Sequence, residues 1–157
     1  MLTALATFSG LCVRSNTANT CGAADCIPKE SYDLKILNLA DDHLESLINT
    51  FNKFEIHNYL KNIIQLCSEV NKYVNDSAPW SLKEDNLEKR NVIIYVVLDF
   101  IRKISILLQP VIPEKTKIIL DSLNIDENER LIKNVNKNYR LKHNTKIQKI
   151  NILFKKQ

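Results

Sequence analysis

Apolar residues recur at steps of three and four along most of this chain, from about residue 39 to residue 124. That spacing puts them on one face of an α-helix and predicts a series of amphipathic helices. From about residue 39 the helices become clear: Asp41 or Asp42 offers an N-cap to the first, and Leu44, Leu47, Ile48 and Phe51 follow at helical spacing. The second runs from about 54 to 75 with a stripe of Leu60, Ile63, Ile64, Cys67, Val70 and Val74. A polar connection over 80–87 leads to a third helix, about 87 to 108, built on Ile93, Val96, Val97, Phe100, Ile101, Ile104, Leu107 and Leu108. Pro110 ends it. Pro113 then occupies the first turn of a fourth helix, where its missing N–H costs nothing, and Glu114 suits that helix's positive end. Ile118, Ile119 and Leu123 form its inner face, and it stops near Asn124.

Two other readings of the third helix fail. Val92–Val97 is β-branched enough for a strand, but the three-and-four spacing continues on both sides of it. Val92–Leu108 is apolar enough to suggest a membrane span, yet Asp99, Arg102, Lys103 and Ser105 interrupt it within a short length. A buried helix of a bundle fits those charges better. The predicted fold class is therefore all-α, an antiparallel helical bundle.

The two ends of the chain read differently. Residues 1–35 form a divergent first helix and loop: Leu2, Leu5, Phe8, Leu11 and Val13 carry a short helical pattern that Gly10 and the polar run 15–20 weaken. Residues 20–33 read as a loop containing Ile27-Pro28. Residues 36–124 are the bundle, and residues 125–157 are a basic tail. In that tail Arg130, Lys133, Lys137, Arg140, Lys142, Lys146, Lys149, Lys155 and Lys156 follow the last acidic residue, Glu129. Such a run is either a solvated face or a surface for phosphates or an acidic protein. Ile147, Ile150, Ile152, Leu153 and Phe154 make it too apolar for simple disorder. It should pack on this bundle or on a neighbour.

A length of 157 residues fits one domain with a real core. A net charge of +4 permits a nucleic-acid partner without demanding one. The chain shows no secretory signal, so a cytoplasmic location is expected and no membrane partner. Cys12, Cys21, Cys26 and Cys67 then read as thiols. Cys21 and Cys26 approach the spacing of a zinc knuckle, but a second ligand pair is missing and no metal site is expected. Cys67 on an apolar helix face reads as a buried thiol.

No catalytic constellation is visible. His43, His57 and His143 fall on separate elements, and two glycines in the whole chain cannot build a phosphate loop. The carboxylate pairs Asp41-Asp42 and Glu84-Asp85 fall at predicted helix starts, where capping accounts for them. One segment remains. Asn71 to Trp80 ends a helix at Pro79 and places the chain's single tryptophan at the corner. Such a residue either fills a core or waits for something flat to stack on.

Several pieces of the chain, in order, resemble the C-terminal anticodon-binding domain of methionyl-tRNA synthetase, a class I enzyme. Asn71-Lys72-Tyr73-Val74 with Ala78-Pro79-Trp80-Ser81-Leu82-Lys83 is similar to the family's Asn-x-Tyr block and its Pro-Trp-x-x-x-Lys continuation. Ile101-Arg102-Lys103-Ile104-Ser105-Ile106-Leu107-Leu108-Gln109-Pro110-Val111-Ile112-Pro113 resembles its Leu-Arg-x-x-x-x-Leu-Leu-x-Pro-x-x-Pro run. Ile118–Leu123 resembles the helix that follows, and Ile152-Leu153-Phe154-Lys155 its terminal Leu-Phe-Pro-Arg, with Lys155 in place of the proline. Gly10-Leu11-Cys12-Val13-Arg14 stands where the family has Asn-Leu-x-x-Arg, with Gly10 replacing the asparagine.

The resemblance implies a helical bundle of the class I synthetase anticodon-binding type that reads the anticodon loop of a methionine tRNA. It implies that Trp80 stacks on the first anticodon base, with Arg14 and Asn75 as polar partners. Loop bases are commonly recognised by aromatic stacking and by hydrogen bonds to their exposed edges. No His-Ile-Gly-His-like or Lys-Met-Ser-Lys-Ser-like motif occurs in the sequence. No cofactor is therefore expected in this chain: ATP and methionine would bind a catalytic domain that it lacks. Aminoacylation would need a separate synthetase catalytic chain as partner, and this chain alone is expected to be inactive. The alternative is a non-functional helical remnant or structural module whose tail needs a partner protein.

Overall fold

The computed structural model describes residues 31–82, 86–142 and 147–148. These residues form α1 (Ser31–Asp42), α2 (Leu44–Asn52), α3 (Ile56–Ser77), α4 (Leu87–Leu108) and α5 (Pro113–Ser122). Three short 3-10 turns follow, at Glu127–Glu129, Ile132–Asn134 and Lys137–Tyr139. The fold is all-α, with no strand among the described residues.

α4 is the centre of the bundle. It packs against α1, α3 and α5, and between Ile93 and Leu107 it is buried on nearly every side. A helix enclosed on all faces needs apolar residues all round, which is why its sequence looked like a membrane span. No described helix is long and apolar enough to cross a membrane. α3 runs antiparallel to it: the Tyr59 hydroxyl, in the first turn of α3, donates to the Leu107 carbonyl oxygen in the last turn of α4 at 2.6 Å.

The charges inside α4 are buried too. Asp99, Arg102 and Lys103 lie at the core, each at 1% exposure or less. Arg102 Nε donates to Asp99 Oδ1, and Arg102 Nη1 donates to the Asn134 carbonyl oxygen. Lys103 Nζ donates to the Leu37 carbonyl oxygen at 2.7 Å and pairs with Asp41 and Asp99. Asp99 also accepts the Leu141 backbone N–H. One ionic cluster thus fixes α1 on one side of α4 and the C-terminal segment on another. Buried charges persist only when paired and hydrogen-bonded in this way.

Three expectations need correction. The expected helix with Leu44, Leu47, Ile48 and Phe51 is α2, but Asp41 and Asp42 do not cap it: they end α1, a helix from Ser31 that the pattern did not show. Asp41 is placed there to meet Lys103, and α2 starts after His43, whose carbonyl accepts the Leu47 N–H. Second, Ile64 is 65% exposed; the buried face of α3 is Tyr59, Ile63, Leu66, Cys67, Val70, Tyr73 and Val74. Third, Ile118 is exposed, and α5 buries Thr116, Ile119, Leu120 and Ser122 instead.

The tail packs on this bundle as far as it is described. Ile125, Val135 and Leu141 join the core, and the Gln148 N–H donates to the Ser122 carbonyl oxygen. α5 ends in a left-handed Asn124, with the Ile125 N–H reaching back to the Leu120 carbonyl oxygen. Asn tolerates that conformation and closes the helix cheaply. Ile150, Ile152, Leu153 and Phe154 lie outside the described residues.

Candidate nucleic-acid interface

The corner after α3 is built by three neighbouring residues. Ala78 takes a left-handed conformation (φ 38°, ψ 59°), and its N–H donates to the Val74 carbonyl oxygen. This caps the helix and turns the chain sharply. Pro79 cannot continue the helix and is buried against the bundle. The Ala78 carbonyl oxygen then accepts both the Ser81 N–H at 2.9 Å and the Ser81 hydroxyl at 2.8 Å. With Pro79 turned inward and the turn pinned on both sides, Trp80 points outward.

Trp80 is 56% exposed. A core tryptophan would be mostly covered, so that reading is excluded here. An indole more than half exposed on a hydrogen-bonded corner is available for stacking. Leu82 returns to the core on the far side of the turn, anchoring the exit as Pro79 anchors the entry.

Asn75 is exposed on the last turns of α3, at the same end of the helix as Trp80. Its side chain offers both donors and an acceptor to a base edge. Lys72 is exposed one turn earlier on the same face, three residues before Asn75. It is a cation the sequence motif contained without assigning it a role. Asp76 is exposed beside them. Arg14 lies outside the described residues, so its relation to Trp80 and Asn75 is not part of this geometry.

Behind the corner lies a buried contact that the sequence did not announce. The Tyr73 hydroxyl donates to Asp33 Oδ1 at 2.7 Å, joining α3 to the first turn of α1. Tyr32 meets the Tyr73 ring edge-on, with centroids 5.5 Å apart. Both Tyr73 and Asp33 are buried.

Several cations of the basic tail are engaged within the protein. Arg130 pairs with Asp121 and donates to the Ile125 carbonyl oxygen; Arg140 donates to Asn38 Oδ1; Lys142 pairs with Glu129. Hydrogen bonds from Lys117 and then Arg130 hold the Asp121 carboxyl below the usual carboxylate range. Lys133 and Lys137 are exposed. Among the described residues of the tail, Arg130, Arg140 and Lys142 thus fasten it to the bundle or to itself.

Cys67 is buried, and burial pushes its thiol up to about 12. His43 Nδ1 lies 2.9 Å from the Leu39 carbonyl oxygen, a local helix contact, and His57 is exposed on α3. Among the described residues no group of His, Cys, Asp and Glu side chains could hold a metal ion.

The family model described as the anticodon binding domain of methionyl tRNA ligase matches residues 28–157. The methionine–tRNA ligase of Rickettsia felis is 38% identical over 123 residues, which is 78% of this chain and 24% of that protein. That of Clostridium tetani is 33% identical over 102 residues, 64% of this chain and 16% of the relative. In three dimensions the chain is similar to Mycobacterium tuberculosis methionyl-tRNA synthetase in complex with methionyl-adenylate. The TM-score is 0.85 at 27% identity, over 99% of this chain and 30% of that one. The chain thus spans about a quarter of the length of the curated relatives first matched. The match of sequence across residues 28–157 and of the bundle across nearly the whole chain places this protein in the family of methionyl-tRNA ligase anticodon-binding domains.

Proposed function

We propose that this chain binds the anticodon loop of a methionine tRNA and that Trp80 stacks on an anticodon base. The observation that supports this most is the corner itself: Pro79 is buried, Trp80 is 56% exposed, and the turn between them is fixed by hydrogen bonds to Ala78. The backbone of the turn is already ordered, so a base that stacks on the exposed ring need not order the loop that carries it. Such stacking contributes about 1–3 kcal/mol per base.

In this reading Asn75 supplies hydrogen bonds to a base edge, and Arg14 is the second polar partner that the resemblance implies. Lys72 stands where it can meet a phosphate near Asn75. Phosphate contacts position the loop, and base contacts select it. Aminoacylation itself belongs to the longer relatives; for this chain it would require a catalytic unit on another polypeptide or in a longer form of the protein.

The test is binding of the chain to anticodon stem-loop RNAs at one fixed salt concentration, because phosphate contacts make affinity salt-dependent. A CAU loop is expected to bind more tightly than loops with other anticodons. Equal affinity for all loops would leave only nonspecific charge attraction and overturn the reading.

A further inference from the structure

The Trp80 corner hangs from the end of a 22-residue helix, and a helix end frays unless something holds it. Tyr73 is the buried aromatic nearest that end. Its neighbour Val74, one turn before Ala78, supplies the carbonyl that caps Ala78, and Tyr73 itself is at 0% exposure. Its hydroxyl donates at 2.7 Å to Asp33, forty residues earlier in the chain and in the first turn of α1. A carboxylate suits the positive end of a helix, so Asp33 is favoured where it sits. Tyr32, beside Asp33, packs its ring against the same Tyr73 ring. The first turn of α1 therefore grips the terminal turns of α3 twice, once by hydrogen bond and once by ring contact. Beyond Tyr73 and Val74, Asn75 and Asp76 are exposed and Ser77 and Ala78 only half-buried, until Pro79 is reached.

We propose that the Tyr73–Asp33 hydrogen bond is a positioning clamp that sets the direction in which Trp80 and Asn75 are presented. It rests on the reading of Trp80 as the stacking residue, and it adds residues that touch no RNA. The clamp acts through the backbone: Tyr73 fixes Val74, Val74 caps Ala78, and Ala78 holds the turn that carries Trp80. Losing the hydroxyl leaves the ring and its contact with Tyr32 in place but removes the hydrogen bond that ties the helix end to α1, and the helix end gains freedom. The indole then samples directions from which a base cannot stack, and affinity falls because ordering must be supplied on binding.

Trp80 is the chain's one tryptophan, so its fluorescence reports this corner alone. The experiment uses the full chain with Tyr73→Phe, Asp33→Ala, Asp33→Asn and Trp80→Ala variants, well below their melting temperatures and with helicity checked by circular dichroism. Two quantities are read: the fluorescence anisotropy of Trp80 without RNA, and Kd for a CAU anticodon stem-loop. Tyr73→Phe and Asp33→Ala are expected to lower the anisotropy and raise Kd about five- to tenfold, the size that one net hydrogen bond supplies. Asp33→Asn keeps an acceptor oxygen and is expected to recover most of what Asp33→Ala loses. In a Trp80→Ala background, Tyr73→Phe is expected to add little to the loss. A residue that only stabilises the fold would lower the melting temperature and leave anisotropy and Kd as they were; that result in Tyr73→Phe and Asp33→Ala overturns the clamp. Should either variant fail to fold, the other decides. If Trp80→Ala binds like the parent, the stacking reading fails instead, while the anisotropy still reports whether the clamp orders the corner.

Discussion

Asp99 and Arg102 meet one helical turn apart, Nε to Oδ1 at 2.9 Å, with the two side chains at 0% and 1% exposure. The pair sits in the middle of α4, and its other bonds reach Leu141 and Asn134 in the C-terminal segment. It therefore ties the segment from Asn134 to Leu141 to the bundle centre. Removing one member strands the other in the core. Asp99→Ala is expected to lower unfolding free energy by about 3–5 kcal/mol, the cost of a buried charge left without its partner. Urea denaturation measures it. A loss below about 1 kcal/mol, the range of an exposed pair, would show that the cluster is solvated after all.

Asp41 gives a pH signature of opposite sign to most carboxylates. Burial raises its carboxyl above 3.8, outweighing the hydrogen bond and charge of Lys103. The folded protein then takes up this proton more readily than the unfolded chain does. Falling pH favours the fold through this group, and the contribution is lost as pH rises through the raised value. Asp41→Asn abolishes that response. The melting temperature of the parent minus that of Asp41→Asn should increase as pH falls from 7 towards 4. A difference that shrinks over that range contradicts the assignment.

Cys67 should be inert while the protein is folded. Its thiol is buried and titrates near 12, so at pH 8 the reactive thiolate is about one part in ten thousand. In a variant with Cys12, Cys21 and Cys26 replaced by serine, a thiol reagent should label Cys67 only at the rate of unfolding, and denaturant should speed it. Prompt labelling of the native protein would contradict the burial.

The helices differed in how plainly the sequence showed them, and the reasons are physical. α4 was legible at both ends, because a polar connection precedes Leu87 and Pro110 follows Leu108. The start of α1 was not. Its buried face reads Asp33, Ile36, Leu37 and Ala40, and a carboxylate in the first of those positions hides the apolar pattern. Asp41 and Asp42 look like a cap, but Asp41 instead pairs with Lys103 from a helix sixty residues away. The outward turn of Trp80 was equally hidden: a Pro-Trp corner is compatible with either residue facing in, and only the burial of Pro79 decides between them. Charges at Asp99, Arg102 and Lys103 marked α4 as no membrane helix, and their spacing of three and four puts them side by side, yet nothing in the sequence showed that they also reach α1 and the C-terminal segment.

The central claim is that Trp80 is a surface for a base rather than part of the core, and one substitution separates the two. Kd for a CAU anticodon stem-loop should be compared between the parent chain and Trp80→Ala at a single salt concentration, alongside their melting temperatures. Because the ring is 56% exposed, the fold should survive with a stability change of about 0.5 kcal/mol or little more. Affinity should fall by about 1–3 kcal/mol, or roughly 5- to 150-fold. Equal binding by the two proteins, both folded, would contradict the account.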